Sequence, residues 1–226
     1  MTTDPRSQIL GSIRRALRRG PLDGPAREAA ERRLATHQRN LVPKRTDVDA
    51  DALVALFAEQ AEAVSATVVR LGSIDEVPDA VADYLAGHNL PSAVKVAPDP
   101  SLAGVPWERR PTIEVAQGRA EDEDLTGVTG AFAAIAETGT LMLASGEEHP
   151  TTLNFMPDNH IVVVRRDQIV GPYEDAWDRL RRQDGMPRTV NFVTGPSRTG
   201  DIEQKIQLGA HGPRRLHILL VDAPED

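Results

Sequence analysis

Three short stretches hold the residue types and spacings with which this chain could do chemistry: Ala136–Thr140 (AETGT), Gly195–Glu203 (GPSRTGDIE) and Leu208–Pro213 (LGAHGP). Glu137 lies between two apolar runs and is followed at once by Thr138-Gly139-Thr140. A carboxylate in such surroundings needs partners, or its pKa rises, which suits a general acid/base or a carboxylate nucleophile. A glutamate at a solvated hairpin tip, with Gly139 serving the turn, would read the same way. In the second stretch Gly195 and Pro196 make a tight turn, and Ser197, Arg198 and Thr199 bring hydroxyls and a guanidinium to it. These groups suit an anion or carboxylate, and equally an ordinary helix cap. Asp201 and Glu203 would repel a bare phosphate but could hold Arg198 in place. His211 sits on a Gly-flanked loop, as a proton shuttle, a carboxylate ligand or simply a turn residue. The candidate catalytic set is therefore Glu137, Asp201 and His211, and the candidate substrate-binding set is Thr138, Gly139, Thr140, Gly195, Ser197, Arg198 and Thr199.

Other chemistries find less support. The GxGxxG and GxxxxGKS spacings are absent from the turn, and Ser145 is not in a GxSxG elbow. Glu147, Glu148, His149, Asp158 and His160 have ligand chemistry without a recognised ligand spacing, so the expectation is a solvated acidic loop and no metal. The chain contains no cysteine, which removes disulfides, a thiolate-held iron–sulfur cluster and a cysteine nucleophile.

Elements that could position these groups follow from the apolar pattern. Leu53, Leu56, Phe57, Ala61 and Val64 form a helical stripe, and a second helix is expected after a capping box at Ser73–Glu76. Short apolar runs at 66–71, 93–97, 113–116, 161–164, 169–170, 190–193 and 216–221 read as strands. Residues 127–145 read as paired strands around Glu137–Gly139, Pro172 as a helix start, and 200–208 as a helix stopping at Gly209. Alternating strands and helices with an all-β insertion imply an α/β fold, a mostly parallel sheet flanked by helices. The candidate site would then lie at a strand-to-helix junction of that sheet.

Charge divides the chain. Residues 1–45 carry eleven Lys/Arg against four Asp/Glu, whereas 46–226 carry fifteen against thirty. The division expected is a basic helical arm over 1–45 and an α/β domain over 46–226. The arm has no aromatic residue to stack on bases and the body is acidic, so no nucleic-acid partner is expected and the arm reads as partner-facing. With no apolar run of membrane-spanning length and no signal-peptide core, the expectation is a cytoplasmic protein without membrane insertion.

AETGT, the strand IVVV (161–164), GPSRTGDIE and LGAHGP together resemble the LUD domain, the family of lactate-utilisation protein C and its relatives. The resemblance runs from about residue 48 to the C-terminus, with Gly200 where the family often has Ala. It implies a fold similar to glucosamine-6-phosphate deaminases, ribose-5-phosphate isomerases and CoA transferases. It also implies a part in oxidising L-lactate to pyruvate beside iron–sulfur partner proteins, with a small carboxylate as ligand and the clusters on those partners. Two other functions stay open: an independent acyl- or CoA-transferase-like enzyme using Glu137, and a non-catalytic regulatory protein that binds small carboxylates.

Overall fold

The computed structural model describes residues 4–18, 20–39, 41–200 and 207–222. It divides into two compact units, Met1–Leu41 and Val42–Asp226. In the first, helix α1 (Pro5–Ala16) starts at Asp4, whose carboxylate accepts from the N–H groups of Arg6 and Ser7. Helix α2 (Gly24–Thr36) has proline in its first turn and ends at His37 in the left-handed conformation. Both ends follow ordinary capping chemistry.

The second unit begins with helix α3 (Ala50–Ala63), capped by Asp49, which accepts from the Ala52 N–H at 2.9 Å. Val54, Phe57 and Ala61, three and four residues apart, are its buried stripe. Strand β1 (Thr67–Leu71), helix α4 (Val77–Gly87), and strands β2 (Ala93–Val96), β3 (Glu114–Gln117) and β4 (Thr126–Gly130) follow. The expected capping box is not formed. Ser73 makes no side-chain cap, residues 74–76 form a 3₁₀ turn, and α4 starts at Val77 with Pro78 where no N–H is needed.

A hairpin comes next, β5 (Ala133–Ile135) and β6 (Thr140–Ala144), then the short helix α5 (Thr152–Phe155) and strand β7 (Asn159–Arg165). Strand β8 (Ile169–Val170), helix α6 (Tyr173–Arg181), β9 (Val190–Val193), the pair β10 (Arg198–Thr199) and β11 (Gln207–Leu208), and β12 (Arg215–Val221) follow among the described residues.

Six strands form one parallel sheet in the order β1-β12-β7-β4-β2-β3. Its central strands are buried on both faces, which explains the nearly continuous apolar runs of β7 and β12. On one face Val128, Ile161, Val163 and Leu219 pack with Val77, Val81 and Leu85 of α4. On the other, Val162, Val164, Ile218 and Leu220 meet Val54, Phe57 and Ala61 of α3 together with a second sheet. That sheet, β8-β5-β6-β9, sends Ala134, Leu141 and Leu143 inward to the first. Its outer residues Ala133, Ile135 and Met142 lie under Ala176 and Leu180 of α6. The alternation has a period of two, as a sheet covered on both sides requires.

The helix expected over 200–208 is not found at its last two residues. Arg198–Thr199 pairs antiparallel with Gln207–Leu208, so residues 207 and 208 are extended. Gly209, at φ +80°, turns the chain back and donates to the Ser197 carbonyl at 3.0 Å. Asp201 and the rest of 201–206 lie outside the described residues. Strand β9 also belongs to the second sheet, antiparallel to β6, so the Gly195 turn is not a strand-to-helix junction of the parallel sheet.

Candidate functional site

Both motifs converge on the last turn of α3. Gly139 has φ +64°, and a Cβ there would stand 2.2 Å from the Ala61 nitrogen. Gly195 has φ +75°, and a Cβ there would stand 2.3 Å from the Val64 carbonyl oxygen. Only glycine combines these conformations with such an approach. The Arg198 guanidinium donates to that same Val64 carbonyl, where a cation also complements the negative end of the helix dipole.

Hydroxyl groups tie the two motifs together. Thr140, fully buried, has its Oγ1 within 2.6 Å of Thr138 Oγ1, 3.0 Å of the Tyr173 hydroxyl and 2.7 Å of Thr194 Oγ1. Tyr173 also reaches Thr138 at 2.9 Å. Neither Tyr173 nor Thr194 was among the sequence candidates, because their proximity arises only when β6, β9 and α6 pack together. Glu137 is not a solvated hairpin tip: its side chain is 15% exposed and faces the Arg45 guanidinium at 3.5 Å. Its N–H donates to the Gly171 carbonyl.

Gly195, Ser197, Arg198 and His211 line one cleft of about 230 Å³, together with Asn154 and His160. Glu137, Thr138, Gly139, Thr140 and Thr199 do not line it; Thr199 is buried on β10. Ser197 is held by backbone, its N–H donating to the Pro213 carbonyl at 2.8 Å, and its Oγ accepts from the His211 N–H at 3.3 Å. His160 lies on β7 rather than on a solvated acidic loop, and it is fully buried. Burial pushes its pKa down to about 4, so the ring is neutral at pH 7. Its Nε2 lies 2.8 Å from Thr129 Oγ1, while its buried Nδ1 has no protein partner. A neutral imidazole can donate or accept at that position, according to which way the Thr129 hydroxyl turns.

A second cleft, of about 210 Å³, opens beyond the carboxyl ends of β2 and β4 and shares Asn154 with the first. Asp99, 5% exposed, stands there with its Oδ2 3.2 Å from His149 Nδ1, and its Oδ1 accepts from the Ser101 N–H at 2.8 Å. Burial alone would raise the Asp99 pKa, but the hydrogen bonds from His149 and Ser101 outweigh it and hold the carboxyl below its ordinary value. The bond to Asp99 raises the His149 pKa against the opposing effect of burial. Fifty residues separate the partners in sequence, and Asp99 carried no motif to mark it. Among the described residues no group of three or more His, Asp or Glu could hold a metal ion. No helix among them is long and apolar enough to cross a membrane.

Layers and clefts together define an α/β protein whose polar clefts sit beside a parallel sheet. Residues 54–221 match the LUD domain family model, and the chain belongs to that family. It is 40% identical over 96 residues to an uncharacterized protein of Neisseria meningitidis serogroup B, a stretch covering 42% of this chain and 41% of the relative. It is 38% identical over 95 residues to lactate utilization protein C of Deinococcus radiodurans, covering 42% and 45%. Against lactate utilization protein C of Bacillus velezensis the figures are 32% over 100 residues, covering 42% of each. The matched stretches thus span less than half the length of these relatives. The crystal structure of a DUF162 family protein from Deinococcus radiodurans superposes with a TM-score of 0.58 at 26% identity, covering 77% of this chain and 99% of that one.

Proposed function

We propose that this chain is the substrate-handling subunit of a lactate-oxidising system, holding the small carboxylate while iron–sulfur partner subunits carry the electrons. Its family and the names of its relatives support a place in lactate utilization. The absence of cysteine supports the division of labour, since a thiolate-held cluster has no ligands on this chain. The observation that carries the reading is the convergence of Ser197, Arg198 and His211 on one cleft, with the fully buried His160 beside it. A guanidinium has five N–H donors, so Arg198 can bind Val64 and still meet a carboxylate. Ser197 and His211 complete the carboxylate end. Glu137, paired with Arg45, fixes the turn that carries Thr138 and Thr140. The working compartment is the cytoplasm.

The test is growth on L-lactate as sole carbon source in a host lacking this gene, with affinity capture from the same cells. Wild type is expected to restore growth and bring down cysteine-rich subunits with stoichiometric iron and sulfide. Arg198→Ala, if folded, is expected to bring down the same subunits without restoring growth. Growth that does not depend on the chain, or capture without iron, would overturn the proposal. Trapping of an acyl adduct on Glu137 from an acyl-CoA would replace it with the transferase reading.

A further inference from the structure

The cleft beyond β2 and β4 shares only Asn154 with the site just proposed, and none of the candidate catalytic or substrate-binding residues line it. It nevertheless has the more organised polar groups. Asp99 is committed on both oxygens, to His149 and to the Ser101 N–H, so it acts on the imidazole rather than on a ligand. A Cβ on Gly130 would stand 2.4 Å from Asp99 Oδ2, so the bare end of β4 is what allows the carboxylate to lie there. With Nδ1 held by Asp99, the other ring nitrogen of the part-exposed His149 is left for a ligand.

Arg179, on α6, supplies a permanent cation to the same cleft. It is fixed at two points: one N–H group donates to the Asp167 carbonyl at 2.9 Å, and the guanidinium lies over the Phe132 ring at 5.8 Å. Its remaining donors are therefore presented without much loss of side-chain entropy. The free donors of that guanidinium favour an anion, and the volume limits it to a small one. Phe132, Leu143 and Pro150 provide apolar walls on which a short carbon skeleton can rest.

We propose that this cleft is a second ligand site, for a small carboxylate bearing a hydroxyl or carbonyl oxygen on the adjacent carbon. Arg179 takes the carboxylate, His149 hydrogen-bonds the adjacent oxygen, and Asp99 is the positioning residue that fixes the imidazole. The site can fill whether or not the Ser197–His211 cleft does, so it goes beyond the function proposed above.

The experiment is a titration of the full chain, labelled in its histidine rings, with pyruvate, L-lactate and acetate, followed by NMR. Ring signals are assigned with His149→Asn and His211→Asn. Saturable shifts of the His149 signals are expected with pyruvate or lactate, at least about tenfold weaker with acetate, which has no second oxygen. Arg179→Gln is expected to weaken them by about tenfold or more, and Ser197→Ala, in the other cleft, to leave them in place. Asp99→Asn is expected to return the His149 titration toward its ordinary value while the fold, read from the amide spectrum, stays intact. His149 signals that do not move at tens of millimolar probe, or that move equally in Arg179→Gln, overturn the proposal. Shifts confined to His211 would do so too while leaving the proposed function standing, and shifts confined to His149 would do the reverse.

Discussion

Acid should destabilise this protein through two histidines buried in the neutral form. His160 is fully buried, and His217 is 5% exposed between Tyr84, whose ring stacks on it at 4.4 Å, and Thr67, whose hydroxyl lies 2.7 Å from its Nδ1. Burial pushes each down to about 4, with the nearby His88 adding to the shift at His217. In the unfolded chain both titrate near 6.5. Between these values the unfolded chain binds more protons than the folded one, so stability falls as pH falls through 6.5 and levels off only below about 4. At pH 5 the loss is about 2 kcal/mol per imidazole relative to pH 7.5, and about 4 kcal/mol for the pair if they are independent. His149 acts in the opposite sense, since its raised pKa gives stability below its unfolded value that is lost as pH rises through the folded one. The perturbation that isolates one contribution is His217→Phe, which keeps an aromatic ring against Tyr84 and leaves the exposed Thr67 hydroxyl to water. Urea unfolding of wild type and variant at pH 7.5 and 5 reads the difference. The variant is expected to lose about 2 kcal/mol less than wild type over that interval. An identical pH dependence, or a His217 ring that titrates near 6.5 in the native protein, would refute the reasoning.

Other outcomes follow from the junction with α3. Gly139→Ala combines a left-handed φ with overlap against the α3 backbone and is expected to cost more than about 3 kcal/mol. Gly118→Ala, with φ +137° and open space, is expected to cost only about 1–2 kcal/mol, and equal losses in urea unfolding would deny the close contact its role. Thr140→Val removes the hydroxyl shared by Thr138, Tyr173 and Thr194 and is expected to cost about 1–3 kcal/mol, checked by the same assay. Arg198→Ala loses the bond to the end of α3 for about 1 kcal/mol, with the first loss of amide-exchange protection expected near Val64.

Much of the fold was legible because its signals are local. The α3 stripe, the β5–β6 hairpin around Glu137–Gly139 and the α6 start at Pro172 follow from periodicity and turn residues. After Gly195, Ser, Thr and Asp suit a helix cap, yet Arg198 and Thr199 pair with Leu208 and Gln207, so the expected helix does not include 207 and 208. The candidate site was legible where one motif supplies it, as with Ser197 and Arg198, and illegible where tertiary packing does. Asp99 follows β2 and His149 lies between β6 and α5, so the two meet only in the folded chain, and no local pattern announces the close approach of Asp99 to Gly130. His160 looked like a loop ligand because the sequence before it is polar and Pro-rich, but the β7 ladder takes it into the core.

The most direct test of the proposed carboxylate cleft is calorimetric titration of pyruvate into purified Arg179→Gln protein, in which the second cleft is weakened, with and without Ser197→Ala. Saturable binding to the Arg179→Gln protein, weakened about tenfold or more when the Ser197 hydroxyl is also removed, is the expected result. Absence of heat in the Arg179→Gln protein, or equal affinity in the double variant, would contradict it.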